Sequence, residues 1–323
     1  MVAKYAMSKN IVFLINTSEI TAGTRGASLG PNAVITAARK KGSFIFGEHP
    51  VEKIKNLNEL LDQPTVHQFA KRIDGLVEVY SVLNSKVASV LGNNEFPIIL
   101  AADHGSAGGT IAGIKSAFPD KRIGVVWIDA HADIHTPYTT PSGNMHGMPL
   151  ATALGIDNLE CQKNEVAPET ISLWNQLKQI GGVSPKINPQ DLVYIAVRDT
   201  ELQEDNVLSR FNIENYKVAD VRSKGVSEIV KAIDEKLKDC DCIYVSFDVD
   251  SMDPELTSHG TGTPVADGLT PDEAKAILNH FANNDKTVCV EFVEVNPCLD
   301  EKINTMAEVT LDLVENIVQT LKK

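Results

Sequence analysis

Apolar residues in this chain gather in short, nearly unbroken runs that open the stretches 11–15, 96–106, 123–128, 191–199, 242–254 and 287–297. A run rich in Val, Ile and Phe that does not alternate with polar residues fits a strand covered on both faces. Between the runs lie segments of helical period at 31–41, 66–91, 226–237, 271–281 and 306–321, and another that starts between Ser106 and Gly109. Strands alternating with helices predict an α/β fold of three layers, α/β/α, with a mostly parallel central sheet. No internal repeat or low-complexity linker interrupts that rhythm, so residues 1–323 read as a single domain.

Local punctuation supports the segmentation. Pro31 suits the first turn of the helix that Gly42 closes, and Gly92 ends the long helix. Thr270, Pro271, Asp272 and Glu273 have the form of a cap, an N1 proline and first-turn acids. Residues 43–46 read as a second strand. The glycines of 23–31 lack phosphate-loop spacing, which speaks against a nucleotide site. The stretch 136–150 is too rich in Pro, Ser, Thr and Gly for regular structure, and it follows a cluster of metal-grade side chains, where a pocket would be lined.

The chemistry sits where the apolar runs stop. The run 123–128 leads into Asp129, His131 and Asp133, and others end in Asp103 and His104, in Arg198 and Asp199, in Asp248 and Asp250, and in Glu291 and Glu294. Residues two apart on an extended backbone share a face, so the Asp-x-His-x-Asp trio can converge on one point. Parallel sheets bind ligands outside the carboxyl ends of their strands, which brings the separate groups into one crevice. His104, His131, Asp129, Asp133, Asp248 and Asp250 offer two imidazoles and four carboxylates, too many for one ion and too rich in oxygen for copper or zinc. Two Mn²⁺ ions are expected. A pair roughly 3.5 to 4 Å apart lowers the pKa of a shared water to near neutrality, which points to hydrolysis.

Composition narrows the partners. With 43 acidic against 30 basic residues the formal charge is −13, which disfavours nucleic acid or an anionic membrane as a partner. Five scattered cysteines show neither a disulfide framework nor a zinc spacing, and no run approaches a membrane span or a signal-peptide core. A soluble, cytoplasmic protein is the expectation.

From GTRGASLGP at 23–31 to VEVNP at 293–297, through ADHGS, DAHAD and SFDVDSMDP, the chain resembles the ureohydrolases, the binuclear-manganese enzymes that include arginase and agmatinase. SGNMHGMP at 142–149 is similar to the arginase branch. The resemblance implies one manganese held by His104, Asp129, Asp133 and Asp248, and a second by Asp129, His131, Asp248 and Asp250. It makes Glu294 the carboxylate for the substrate's guanidinium. It makes His146 a proton shuttle and Asp133 the group that helps protonate the leaving amine. Thr140, Ser142 and Asn144 match positions that hold the polar end of an amino-acid substrate, and Glu201 and Glu204 match those for its α-amino group. Trp127 and Ser246 match positions that orient ligands. A homo-oligomer, trimer or hexamer, is implied too.

Several positions depart from the family's pattern, among them AADHGS at 101–106 in place of the more common Gly-Gly-Asp-His-Ser, which changes packing beside His104 but keeps the ligand. His135 stands where an asparagine that contacts the α-carboxylate is usual, and Glu201 where an aspartate is usual. The resulting expectation is hydrolysis of L-arginine to L-ornithine and urea by a metal-bridging hydroxide. Agmatine, guanidinobutyrate or formiminoglutamate are the alternative substrates, and a non-catalytic metal-binding protein is the remote one. A binuclear phosphoesterase would carry Gly-Asp-x-x-Asp and Gly-Asn-His signatures, which are absent. A single-zinc amidohydrolase would not need Asp133 and Asp250.

Overall fold

The unbroken apolar runs become the inner strands of one parallel sheet. The structure, a computed structural model, describes residues 9–323. Its strands are β1 (Asn10–Asn16), β2 (Val51–Ile54), β3 (Glu95–Ala101), β4 (Ile123–Ile128), β5 (Leu192–Ile195), β6 (Glu214–Tyr216), β7 (Cys242–Asp248) and β8 (Thr287–Val293). They lie in the order β2-β1-β3-β8-β7-β4-β5-β6. Every pairing between them is parallel, which is stricter than the mostly parallel sheet read from the sequence.

The helices are α1 (Gly30–Lys41), α2 (Ile45–Glu48), α3 (Ile73–Gly92), α4 (Ala107–Ala117), α5 (Pro149–Leu154), α6 (Pro168–Gln179), α7 (Leu202–Phe211), α8 (Val218–Lys224), α9 (Val226–Lys236), α10 (Pro271–Ala282) and α11 (Thr305–Leu321). Right-handed crossovers decide which face each one covers. Where successive strands step one way along the sheet, the connecting helices α3 to α7 fall on one side; where they step back, α1 and α8 to α11 fall on the other. Side chains of the strands alternate accordingly. Phe13, Ile98, Val245 and Phe292 pack under α1, α10 and α11, while Leu14, Ile99, Trp127 and Tyr244 pack under α3 and α4. Each such buried side chain contributes about 1.5–3 kcal/mol.

Several boundaries differ from the sequence reading, each for a local reason. Residues 43–46 are not a strand: Phe44 is 77% exposed, the chain makes the short turn α2, and the edge strand follows at Val51–Ile54. That strand is half exposed and lacks the apolar run that marks the inner ones. The long helix starts at Ile73 rather than 66, because Val66 is 85% exposed and Arg72 adopts a left-handed φ of 58° that a helix cannot pass through. Helices α6 to α8 and strand β6 carry few buried residues and so show little period in the sequence, whereas α5 is buried all round and only six residues long, too short for a period to show. By contrast, α10 opens as its sequence says, with Thr270 and Glu273 in a reciprocal capping box. All five cysteines are free thiols.

Candidate metal centre

The strand termini deliver their side chains to a cleft of about 190 Å³ at the carboxyl edge of the sheet. The trio at 129–133 does not converge by strand alternation, however. β4 ends at Ile128, the following loop pairs at His131 with Asp199, and Asp133 turns inward through a left-handed φ of 50°. Glu294, just past β8, has φ 68°, and Ala196, just past β5, has φ 73°. Such backbones cost non-glycine residues about 1–3 kcal/mol each and concentrate where side chains must be aimed. Of these three, Asp133 and Glu294 line the cleft.

Neighbours hold each ligand-type group in place. His104 opens the turn from β3 to α4, its ring stacked 4.0 Å from that of Trp127 at an interplanar angle of 5°. Its Nε2 meets Ser246 Oγ at 2.7 Å. Asp129 accepts the Trp127 indole N–H at 2.9 Å and the His131 backbone N–H at 2.7 Å. Asp248 accepts the backbone N–H of Asp250 at 2.8 Å. Asp250 takes the Ala130 N–H at 3.2 Å and the Thr263 hydroxyl at 3.1 Å.

Two groups emerge with metal-binding spacing: His104 with Asp129 and Asp248, and Asp129 with His131 and Asp250. Asp129 belongs to both; Asp248 falls in the His104 group, with Asp133 beside it at 3.1 Å from His104 Nδ1. That nitrogen decides whether a cation fits. It is buried, ringed by oxygens of Asp129, Asp133 and Asp248 at 2.9, 3.1 and 3.2 Å, and makes no hydrogen bond. A ring nitrogen facing three carboxylates calls for positive charge in the gap, either its own proton or a cation standing among them. The residues present therefore fit a divalent metal pair.

The electrostatics agree. Burial, and then the charge of Asp129, push Asp133 up to about 7. Burial and neighbouring carboxylates raise Asp248 and Glu294 well above the usual range. Although burial works against it, Asp129, Asp133 and Asp248 raise His104, while Asp250 and Asp129 raise His131. Asp129 is lowered: burial alone would raise it, but His104 and His131 outweigh that. Carboxylates in such excess call for positive charge, and no Lys or Arg lines the cleft.

The substrate-type residues line the same cleft. Glu294 accepts the His104 backbone N–H at 2.9 Å and lies 3.8 Å from His146 Nδ1. His135, Thr140, Ser142, Asn144, Glu201 and Glu204 form the outer wall. Glu201 and Glu204 cap α7 reciprocally, and burial lifts Glu204 to about 8. His135 Nε2, buried and without a hydrogen bond, sits 3.6 Å from Glu204 and 3.9 Å from Glu201. Burial, then Lys163, lowers this imidazole to about 4. Sequence reasoning missed Thr263, which lines the cleft from a loop without any motif, and Asp199, noted as a strand end but given no role. Asp103, likewise noted only as a strand end, is buried behind His104 and accepts the Thr21 N–H at 3.1 Å.

Comparison with known proteins agrees with this geometry. A family model, the Arginase family, matches residues 9–319. The arginase of Bacillus caldovelox is 34% identical over 301 residues, 91% of this chain and 92% of its own. The crystal structure of the Entamoeba histolytica arginase in complex with L-ornithine superposes with a TM-score of 0.80 at 29% identity, covering 97% and 99% of the two chains. The formimidoylglutamase of Bacillus subtilis shares the fold, with a TM-score of 0.72 at 18% identity over 98% of this chain and 88% of its own.

Proposed function

The chain belongs to the arginase family and is a ureohydrolase acting on the C–N bonds of a guanidino substrate; from that premise we propose that it hydrolyses L-arginine to L-ornithine and urea with two Mn²⁺ ions. Proteins of the family use a binuclear metal site. The observation that carries the proposal is the pair of ligand groups joined at Asp129 on the floor of an acid-walled cleft. His104, Asp129, Asp133 and Asp248 hold one ion, and Asp129, His131, Asp248 and Asp250 the other; oxygen-rich sets of this kind suit Mn²⁺. Ions bound there would supply a hydroxide nucleophile near neutral pH and positive charge to stabilise the transition state of its attack on the guanidino carbon.

The chain's own residues do the rest. Glu294 receives the guanidinium in a charge-assisted pair and fixes its plane. Asp133 passes a proton to the leaving amine, and His146, partly exposed at the cleft wall, exchanges protons with solvent. Glu201 and Glu204 take the α-amino group. Thr140, Ser142, Asn144 and the unpaired Nε2 of His135 take the carboxylate. An acidic wall with donors placed beside it suits a zwitterionic end better than a bare amine. The L-ornithine bound by the Entamoeba relative supports that reading. The whole chain, 1–323, acts as one domain, assembled as a trimer or hexamer.

The test is urea release by the Mn²⁺-loaded protein from arginine, agmatine, guanidinobutyrate and, as formamide release, formiminoglutamate. Arginine is expected to give the highest kcat/KM. Preference for agmatine would overturn the α-carboxylate assignment, and no turnover of any of them would leave a metal-binding protein. Asp129→Ala is expected to abolish both metal uptake and urea release.

A further inference from the structure

Glu291 is a carboxylate the reaction does not use. It lies fully buried in the middle of β8, inside the apolar layer under α4, and no lysine, arginine or histidine pairs with it among the described residues. Burying a carboxylate without a cation is destabilising by several kcal/mol, so its presence needs a compensating use. Its neighbours suggest one. In the sheet register Glu291 stands beside Ser246, and Tyr244 lies two residues back on the same face of β7. Tyr244 donates its phenolic O–H to Glu291 Oε2 at 2.6 Å. Tyr244 and Ser246 share one face of β7, with no hydrogen bond formed between their hydroxyls, and Ser246 Oγ lies 2.7 Å from His104 Nε2. Ser106, at the start of α4, gives a longer contact of 3.4 Å to the other carboxylate oxygen.

Donor and acceptor counting orders the chain. A metal among the carboxylates would take the lone pair of His104 Nδ1, so Nε2 carries the proton and donates. Ser246 Oγ must accept it, which sends the serine's own hydrogen onward. Tyr244 can accept that hydrogen only if its own goes elsewhere, and the Glu291 carboxylate takes it. We propose that Glu291 is a positioning residue: the terminal acceptor of a His104–Ser246–Tyr244–Glu291 relay, closed between Ser246 and Tyr244 when the metal is bound, that fixes the tautomer and aim of His104 toward the metal. The inference rests on the metal reading of the cleft and adds to it two residues that touch neither ion nor substrate. It also explains why Tyr244, Ser246 and Glu291 stand in mid-strand on a face of β7 and β8 whose other members, Cys242, Cys289 and Val293, are apolar.

The experiment measures Mn²⁺ affinity by equilibrium dialysis against a competing chelator, together with thermal melting of the metal-free protein. Glu291→Gln is expected to weaken Mn²⁺ binding about 10- to 100-fold. The metal-free protein should melt at the same temperature or higher, since a buried charge has been removed; a merely structural role would lower it. Ser246→Ala is expected to cost a similar factor, and the double variant no more than either alone, because both break one relay. Tyr244→Phe removes only the hydroxyl and carries the same test should Glu291→Gln fail to fold. Wild-type affinity in Glu291→Gln, or losses that multiply in the double variant, would overturn the relay while leaving the metal site standing. A wild-type protein that takes up no Mn²⁺ would overturn the metal reading and the relay with it.

Discussion

At the residue scale, burial sets the chemistry of the cleft more than residue type does. Glu294 and Asp129 are both acids at strand ends, yet burial drives one toward protonation while two imidazoles hold the other ionised. Their substitutions should separate. Glu294→Gln is expected to keep its metal content, because Glu294 belongs to neither ligand group, and to lose about 2–5 kcal/mol of transition-state binding, read as a fall in kcat/KM. Metal analysis beside kinetics checks this; loss of metal would make Glu294 part of the ion site. At the outer wall, His135→Ala removes a buried, unpaired ring nitrogen some distance from the ligands. Its expected effect is about a tenfold rise in KM for arginine, near the worth of one hydrogen bond, with little change in kcat and no change in KM for agmatine.

At the element scale, two devices hold the site-bearing loops. Helix α4 packs closely on α3 because Gly109 and Gly113 leave room for it: a Cβ at Gly113 would lie 2.6 Å from Val87 Cβ and 3.0 Å from the Asn84 carbonyl. Gly113→Ala ordinarily favours a helix, yet here it should destabilise by about 1–3 kcal/mol. The melting temperature should fall by about 2–4 °C per kcal/mol. An unchanged melt would mean the two helices separate freely.

Lys186 is the second device. It is 3% exposed and donates to the Lys178 carbonyl near the end of α6 at 2.7 Å, and burial lowers it to about 8. Between that value and its unfolded value of 10.5 the unfolded chain binds the extra proton, so stability contributed at this site rises with pH across the window. The difference in unfolding free energy between wild type and Lys186→Met should grow over pH 8 to 10.5 in favour of wild type. A difference independent of pH would show the lysine to be unperturbed.

For the whole molecule, the cleft gathers carboxylates from β4, β7 and β8 and an imidazole from the turn after β3, so the ions tie together strands remote in sequence. A ligand bound only by the folded state stabilises it by mass action, about 2.7 kcal/mol at a hundredfold excess over Kd. Mn²⁺ should therefore raise the melting temperature progressively with concentration, a chelator should reverse it, and Asp129→Ala should abolish the response. Equal melting with and without Mn²⁺ would contradict a metal bound by the native fold alone. The described residues contain no helix long and apolar enough to cross a membrane.

The sequence by itself determined the inner sheet and the address of the cleft. Continuous apolar runs can be buried only between two layers, and the acids at their ends can lie only at one edge of a parallel sheet. It also determined α10, whose cap residues satisfy each other within one turn. Tertiary structure decided the rest. The edge strand Val51–Ile54 has no apolar run and exists because β1 pairs with it. Asp133 and Glu294 reach inward through left-handed backbones that no periodicity announces. The aim of His104 depends on a serine from β7 and an indole from β4, and only the strand order β3-β8-β7-β4 brings those side chains to it.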